Sequence, residues 1–319
     1  MIHEHDILFH TPQNPPYDWA ETGFFGFYVP EANILGWVYI VHRAGVGATV
    51  ADVEIIDRWS PHIHDALYMN MTNHNPLPQR AELFELPNGL RFHARSLREY
   101  ALAYQAAGIA LDLEVSGLMP PYDIHDADMD PMATDDAVAA VANSGFGAAY
   151  SAHFDMTVRV SGSLRLGAKT YRVDCVATMD HSWGPRPETG IHPILWANAH
   201  FHENYAFHGI FAYDREAAIG EQHVFKHGYA LIDGQVRGAV AGSVRVKREG
   251  LYATEAELRI TDRDGREHVA HGEMMNHHPW MPYGNNLGPM SLARWKTEGR
   301  DTGHGIFLEG FPLNRIRAA

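Results

Sequence analysis

The chain has 319 residues, 45% of them hydrophobic and 20% charged, so it holds apolar material for about two cores and lacks the composition of a disordered chain. A formal net charge of −14 works against binding a nucleic-acid backbone, which needs clustered Lys and Arg. The lone cysteine, Cys175, rules out an internal disulfide, and a reducing, cytoplasmic setting is expected.

The first residues, Met1-Ile-His-Glu-His-Asp, have neither the basic start nor the apolar run of a signal peptide, and no later stretch reaches the length of a membrane span. Aromatic residues follow in Tyr17-Asp-Trp-Ala-Glu-Thr-Gly-Phe-Phe-Gly-Phe-Tyr28 and Gly36-Trp-Val-Tyr39, where core filling is expected. Strands are predicted over 100–104 and 109–115, joined by a turn at Ala106-Ala107-Gly108. A Pro- and Asp-rich stretch, 119–131, interrupts the strands. A short helix follows, capped by Thr134 or Asp135 and ended near Gly145. The boundary between two halves, 1–150 and 151–319, is placed there.

Period-two alternation resumes with Phe154, Met156, Val158 and Val160 set against Asp155, Thr157 and Arg159, a strand with one buried face. Similar runs cover 171–175, 244–246 and 256–260, with turns at Asp233-Gly234 and Asp262-Arg-Asp-Gly265. No βαβ rhythm or Gly-rich phosphate loop is present. The fold class expected is all-β, with two barrel- or sandwich-like domains side by side and little helix.

Among residues able to carry chemistry, Asp180-His-Ser-Trp-Gly-Pro-Arg186 is the densest group. An Asp beside a His sets an imidazole's tautomer and charge, and Trp183 supplies a desolvating wall. The plainer reading pairs Asp180 with Arg186 across a turn and buries Trp183 as packing. Ser182 lacks the elbow of a hydrolase nucleophile. Next, in one extended strand, Asn198, His200, His202, Asn204 and His208 fall on one face and Phe201, Glu203, Tyr205 and Phe207 on the other. His200 and His202 form a His-x-His pair able to bind a metal, although Glu203 follows at once on the opposite face; a polar stripe contacting a substrate's oxygens explains the same residues. Three further groups are Arg58 to His64 with Asp65, the pair His277-His278, and His304 with Glu309. Glu309 stands between Phe307 and Phe311, where desolvation would make it an acid.

The run Val173-Asp-Cys-Val-Ala-Thr-Met-Asp-His-Ser-Trp-Gly-Pro-Arg186 resembles the signature of the carotenoid 1,2-hydratase-related, AttH-like lipocalin superfamily. Supporting segments lie at 21–39, 111–121 and 293–309, so the resemblance spans nearly the whole chain. It implies paired lipocalin-like β domains holding an apolar ligand, and activities such as alkene hydration or polyketide cyclisation that need no redox cofactor; no cofactor is expected, and a metal is the minor reading. His181 and Trp183 match the motif, with Asp180 and Arg186 beside them. Where the hydratases carry a Tyr-x-Asp-like proton donor, this chain has His200-Phe-His202-Glu203, which leaves the acid open.

The expectation is a cofactor-independent lyase or isomerase of hydratase/dehydratase type, acting on an apolar terpenoid or aromatic molecule. His181, oriented by Asp180, and His200, His202 and Glu203 are the candidate acid–base groups; Trp183, Arg186, Tyr205, His208 and Glu309 are candidate substrate contacts. Alternatives are a C–C lyase releasing formaldehyde from a lignin-like aromatic, a lipophilic-ligand carrier, and a metal enzyme using His200 and His202. A homodimer is expected only from the frequency of such assemblies.

Overall fold

The computed structural model describes residues 2–316, apart from 188, 190, 191, 215 and 218–220. The first eight strands are β1 (Trp19–Val29), β2 (Ile34–Arg43), β3 (Ala48–Ile56), β4 (Tyr68–Pro76), β5 (Leu83–Glu85), β6 (Leu90–Ser96), β7 (Glu99–Ala106) and β8 (Ile109–Gly117). After β9 (Tyr122–Asp123) and helix α1 (Ala137–Asn143) come the long strands β10 (Ala152–Leu166) and β11 (Lys169–Pro185). Then follow β12 (Ile194–His202), β13 (Tyr205–Tyr213), β14 (His223–Ile232), β15 (Gln235–Glu249), β16 (Tyr252–Asp262), β17 (Glu267–Met274), β18 (His278–Tyr283), β19 (Asn286–Lys296) and β20 (Gly303–Pro312).

The strands form two antiparallel sheets. The first runs β4-β3-β2-β1-β11-β10-β8-β7-β6-β5, with β9 on β10, and curls into a half-barrel. The second runs β17-β16-β15-β14-β13-β12-β20-β19, and β19 pairs back onto β17 to close an eight-stranded barrel, with β18 hairpinned onto β19. The all-β, lipocalin-like expectation holds. No helix among the described residues is long and apolar enough to cross a membrane.

The turns follow the local chemistry. Asp233 and Gly234 both take positive φ, 50° and 77°, as a two-residue hairpin loop requires. The helix starts one residue later than expected: Asp136 is its cap, its carboxylate accepting from the amides of Val138 and Ala139.

Two sequence expectations change. The boundary near 150 falls inside the first sheet, because β10 pairs with β8 and β11 pairs with β1; the chain passes to the second sheet only after Pro185. The stretch 118–151 straps the first sheet to the barrel, with the Tyr122 ring tilted against Tyr229 and Asp130 2.7 Å from His227. Second, of the polar set of β10 only Arg159 meets water. Asp155 and Thr157 are each only 1% exposed, since that face lies on the barrel.

The core explains why. The barrel interior is filled by Leu195, Phe207, Phe211, Leu258, Trp295 and Phe307. A second cluster joins the first sheet's Phe24, Trp37 and Tyr39 to Trp196, Ile210, Trp280 and Ile306 of the barrel strands. The central strands of the first sheet are thus covered on both faces, which is why β2 and β3 lack an exposed face.

Candidate active site

Successive residues of a strand point to opposite faces, and this divides the Asp-His-Ser-Trp segment of β11. In the cross-strand row Asp155, Asp180, Phe24, Tyr39 and Asp52, the side chains share the face that lies on the barrel. Ser182 joins them, paired with Thr22 through their hydroxyls at 2.8 Å. His181 and Trp183 point the other way, into the half-barrel, so Asp180 cannot orient His181. His181 Nδ1 donates instead to Thr22 O at 2.9 Å, and burial lowers its pKa to about 4.

Between the sheets lies a cavity of about 70 Å3 walled by Phe24, Ile194, Trp196, Trp280 and Leu308, with Asp180, Tyr39, Tyr150, Arg186 and Tyr283 among its polar lining. Asp180 Oδ1 is buried without a hydrogen-bond partner. Burial pushes the Asp180 carboxyl up to about 6, with Asp155 adding to the rise and His153 and Arg186 opposing it.

Arg186 does not pair with Asp180. Its Nη1 donates to the hydroxyls of Tyr39 at 3.0 Å and Tyr283 at 2.7 Å, and its Nη2 donates to Ser182 Oγ at 2.8 Å and Ala149 O at 3.2 Å. The two tyrosines also hydrogen-bond each other. A fixed guanidinium therefore polarises a phenol pair at the cavity's edge. A neighbouring cavity of about 330 Å3, bordered by Tyr17, Trp19 and Asn285, shares Arg186 and Tyr283 and leads outward.

Behind Asp180, the Asp155 carboxylate accepts from Trp196 Nε1 at 2.8 Å, bonds His153 Nε2 at 2.9 Å and lies 3.2 Å from His208 Nε2. Burial alone would raise its pKa, but His208 and His153 together hold it well below the usual carboxylate range. His153 is in turn stacked on Tyr150 at 3.8 Å. This group bolts the two sheets together beneath the cavity.

The remaining expected residues separate. The stretch 198–208 is a hairpin with a bulge between His200 and His202, so the single continuous face does not exist. His208 sits opposite Asn198 and reaches the inter-sheet network. His200 is buried there too, its Nε2 2.8 Å from Thr178 Oγ1, and burial lowers its pKa to about 3. His202 is exposed, and Glu203 at the turn pairs with Arg159, so neither reaches the cavity and no His-x-His metal pair forms. Tyr205 bonds His268 and lies under Arg300, away from the cleft. Glu309 borders the cavity but is no poised acid: although burial opposes ionisation, Arg248 grips its carboxylate and keeps the pKa low.

Sequence reasoning missed Tyr39, Tyr150, His153, Asp155 and Tyr283. Asp155 and His153 carried a faint signal, being polar positions on a long strand flanked by apolar ones. Tyr39 and Tyr283 carried none, since they meet across 244 positions of sequence. Among the described residues, two groups have metal-ligand geometry: His153, Asp155 and Asp180 in the cleft, and His10, Glu21 and His181 inside the half-barrel.

The fold has clear counterparts. AttH (NE1406) of Nitrosomonas europaea, as that structure is assigned, superposes over 92% of both chains with a TM-score of 0.56 at 12% identity. Kievitone hydratase of Nectria haematococca covers 95% of this chain and 90% of its own, with a TM-score of 0.55 at 8% identity. CghA with Sch210972 covers 93% and 88%, with a TM-score of 0.52 at 14% identity. These are members of the lipocalin-like group that the 173–186 run resembles. No curated protein matches the chain by sequence. The family model described as Domain of unknown function (DUF7064) matches residues 3–309, and the chain belongs to that family.

Proposed function

We propose that the protein is a hydratase-type lyase that adds water to, or removes it from, an apolar small molecule held between the two sheets. The observation that carries this reading is the Asp180 carboxyl, one oxygen unpartnered, aimed into an aromatic cavity across from the Arg186-held pair Tyr39 and Tyr283. A carboxyl in such surroundings passes a proton to or from a substrate carbon or leaving hydroxyl. The two phenols, polarised by Arg186, hold the substrate's oxygen as charge develops on it. Phe24, Trp196 and Trp280 exclude water and face a carbon skeleton, their rings suited to an electron-poor centre. The likeness of fold to a kievitone hydratase is consistent with this chemistry. His181 and Trp183 leave the catalytic set, because they occupy the other face of the sheet.

The cavity is smaller than a terpenoid or polycyclic phenol, so substrate binds by entering from the wider cleft past Tyr283 and Arg186. The test is incubation with a panel of phenolic and terpenoid alkenes and tertiary alcohols, read by mass spectrometry. Gain or loss of one water, cut by about 10²–10⁴ in Asp180→Asn, is expected. Full turnover in Asp180→Asn refutes the site, and loss of formaldehyde instead of water would assign a C–C lyase.

A further inference from the structure

Inside the half-barrel, on the face of β11 turned away from the cleft, His10, Glu21 and His181 bring one donor atom each within 4.8 Å of one another. Each is already oriented by a second group. His181 donates from Nδ1 to Thr22 O, which leaves its Nε2 carrying a lone pair, and that Nε2 is buried with no hydrogen-bond partner. His10 Nε2 lies 3.1 Å from Asp6 Oδ1, and its ring is stacked on Trp183 at 3.6 Å and 4°. Glu21 Oε1 accepts from Thr11 Oγ1 at 2.9 Å, while Oε2 lies 3.2 Å from His10 Nδ1.

We propose that His10 Nδ1, Glu21 Oε2 and His181 Nε2 bind a divalent cation of the zinc class. The site is separate from the chemistry proposed for the cleft. Two imidazoles and one carboxylate are a donor set that zinc accepts, with a fourth position left open. Imidazole ligands whose other nitrogen is held by a carboxylate or a backbone carbonyl are the usual supporting arrangement, and Asp6 and Thr22 supply both kinds. Both nitrogens of His10 face carboxylates, Asp6 at Nε2 and Glu21 at Nδ1, and a cation between Nδ1 and Glu21 takes the place that a proton otherwise fills. Beside the three ligands lies a cavity of about 40 Å3 bounded by Phe25, Phe84 and Tyr100, roomy enough for a water as the fourth ligand. Glu21 stands between Trp183 and His42 on neighbouring strands, and the amino-terminal segment carrying Asp6 and His10 closes over it.

The experiment is titration of the full chain with zinc and with cobalt(II), metal content being read by mass spectrometry after dialysis and cobalt coordination by its visible absorption. Saturable binding of a single ion, lost in Glu21→Gln and His181→Ala, is expected. Asp6→Asn should keep the stoichiometry and weaken affinity by about 10–100-fold, the effect of losing an outer partner. Asp180→Asn, which breaks the His153, Asp155 and Asp180 group in the cleft, should bind metal as the parent does. Circular dichroism confirms that each variant is folded, and Glu21→Gln preserves side-chain shape. Absence of saturable binding overturns the assignment, as does binding that survives Glu21→Gln or disappears in Asp180→Asn.

Discussion

In the proposed reaction Asp180 and the phenol pair do different work, and substitution separates them. Asp180→Asn keeps the shape of the cavity but removes the transferable proton, so kcat falls by about 10²–10⁴ while ligand binding changes little. Tyr283→Phe deletes one donor at the developing charge, for a loss of about 10²–10³ in kcat. Both are read by steady-state kinetics with parallel ligand titration; equal losses in kcat and affinity would mean that these groups only shape the pocket. A second buried carboxyl, Glu54, has no route to the cavity and reports on stability instead. Burial pushes it up to about 8, and its Oε2 lies 2.9 Å from His278 Nε2, a histidine that burial lowers to about 4. Between pH 4.5 and 8 the folded chain therefore keeps a proton at Glu54 that the unfolded chain has lost, and Glu54's own contribution to stability declines as pH rises through that window, against the rise that buried His278 brings below pH 6.5. Glu54→Gln should flatten this decline and stabilise the protein at pH 8.5 by about 2–4 kcal/mol. Thermal unfolding of both forms across the window checks it, and parallel curves would show that Glu54 is ionised in the fold.

At the scale of the strand, β11 shows how much of the site was legible. The Asp-His-Ser-Trp-Gly run drew attention to the strand that carries the proposed site because it is polar where the flanking strand is apolar. Its internal division was also implicit, since a two-residue period must send Asp180 and His181 to opposite faces. Neighbours in sequence were nonetheless read as neighbours in space. Which face suits the proposed reaction depends on the partner layer, and the contacts of Trp196, Trp280 and Tyr283 favour the one turned to the barrel. The hairpin at 203–204 was missed for a local reason: Glu203-Asn204 carries no glycine, so the turn chemistry that exposed the other hairpins was absent. Gly184, which closes the Asp-His-Ser-Trp-Gly run, has a physical account. Its φ is 151°, and a Cβ there would stand 2.5 Å from Ala148 O. Gly184→Ala should push the 147–150 turn off the end of β11, displace Arg186 and Tyr150, and cost about 2–3 kcal/mol together with most of the activity. Denaturant melts and turnover measure the two effects; an unchanged midpoint would mean that the turn yields freely.

The pairing of the two sheets is the feature of the whole molecule that the sequence hid most completely. Alternating strands and hairpin turns announced an all-β chain, but the polar faces of β10 and β11 looked like solvent faces, and a sheet that crosses position 150 looked like two domains divided there. The physical cause is that one apolar cluster runs through both sheets, from Phe24 and Trp37 to Trp196, Trp280 and Ile306, with Asp155 joining β10 to Trp196 and His208 at its centre. The barrel has a closed interior of its own; the half-barrel has an open face that the barrel strands cover. The intact chain should therefore unfold in one cooperative transition, with calorimetric and van't Hoff enthalpies in agreement. A fragment of residues 192–316 should retain β-sheet circular dichroism, whereas a fragment of residues 2–187 should aggregate, because Phe24, Trp37 and Tyr39 would face water. Asp155→Ala should lower the single transition by about 3–5 kcal/mol, since it leaves His153, His208 and the Trp196 indole without their buried acceptor. Two resolved transitions in the parent, or a soluble and cooperatively folded 2–187 fragment, would show instead that the sheets fold independently and that the cleft forms only when two finished bodies dock.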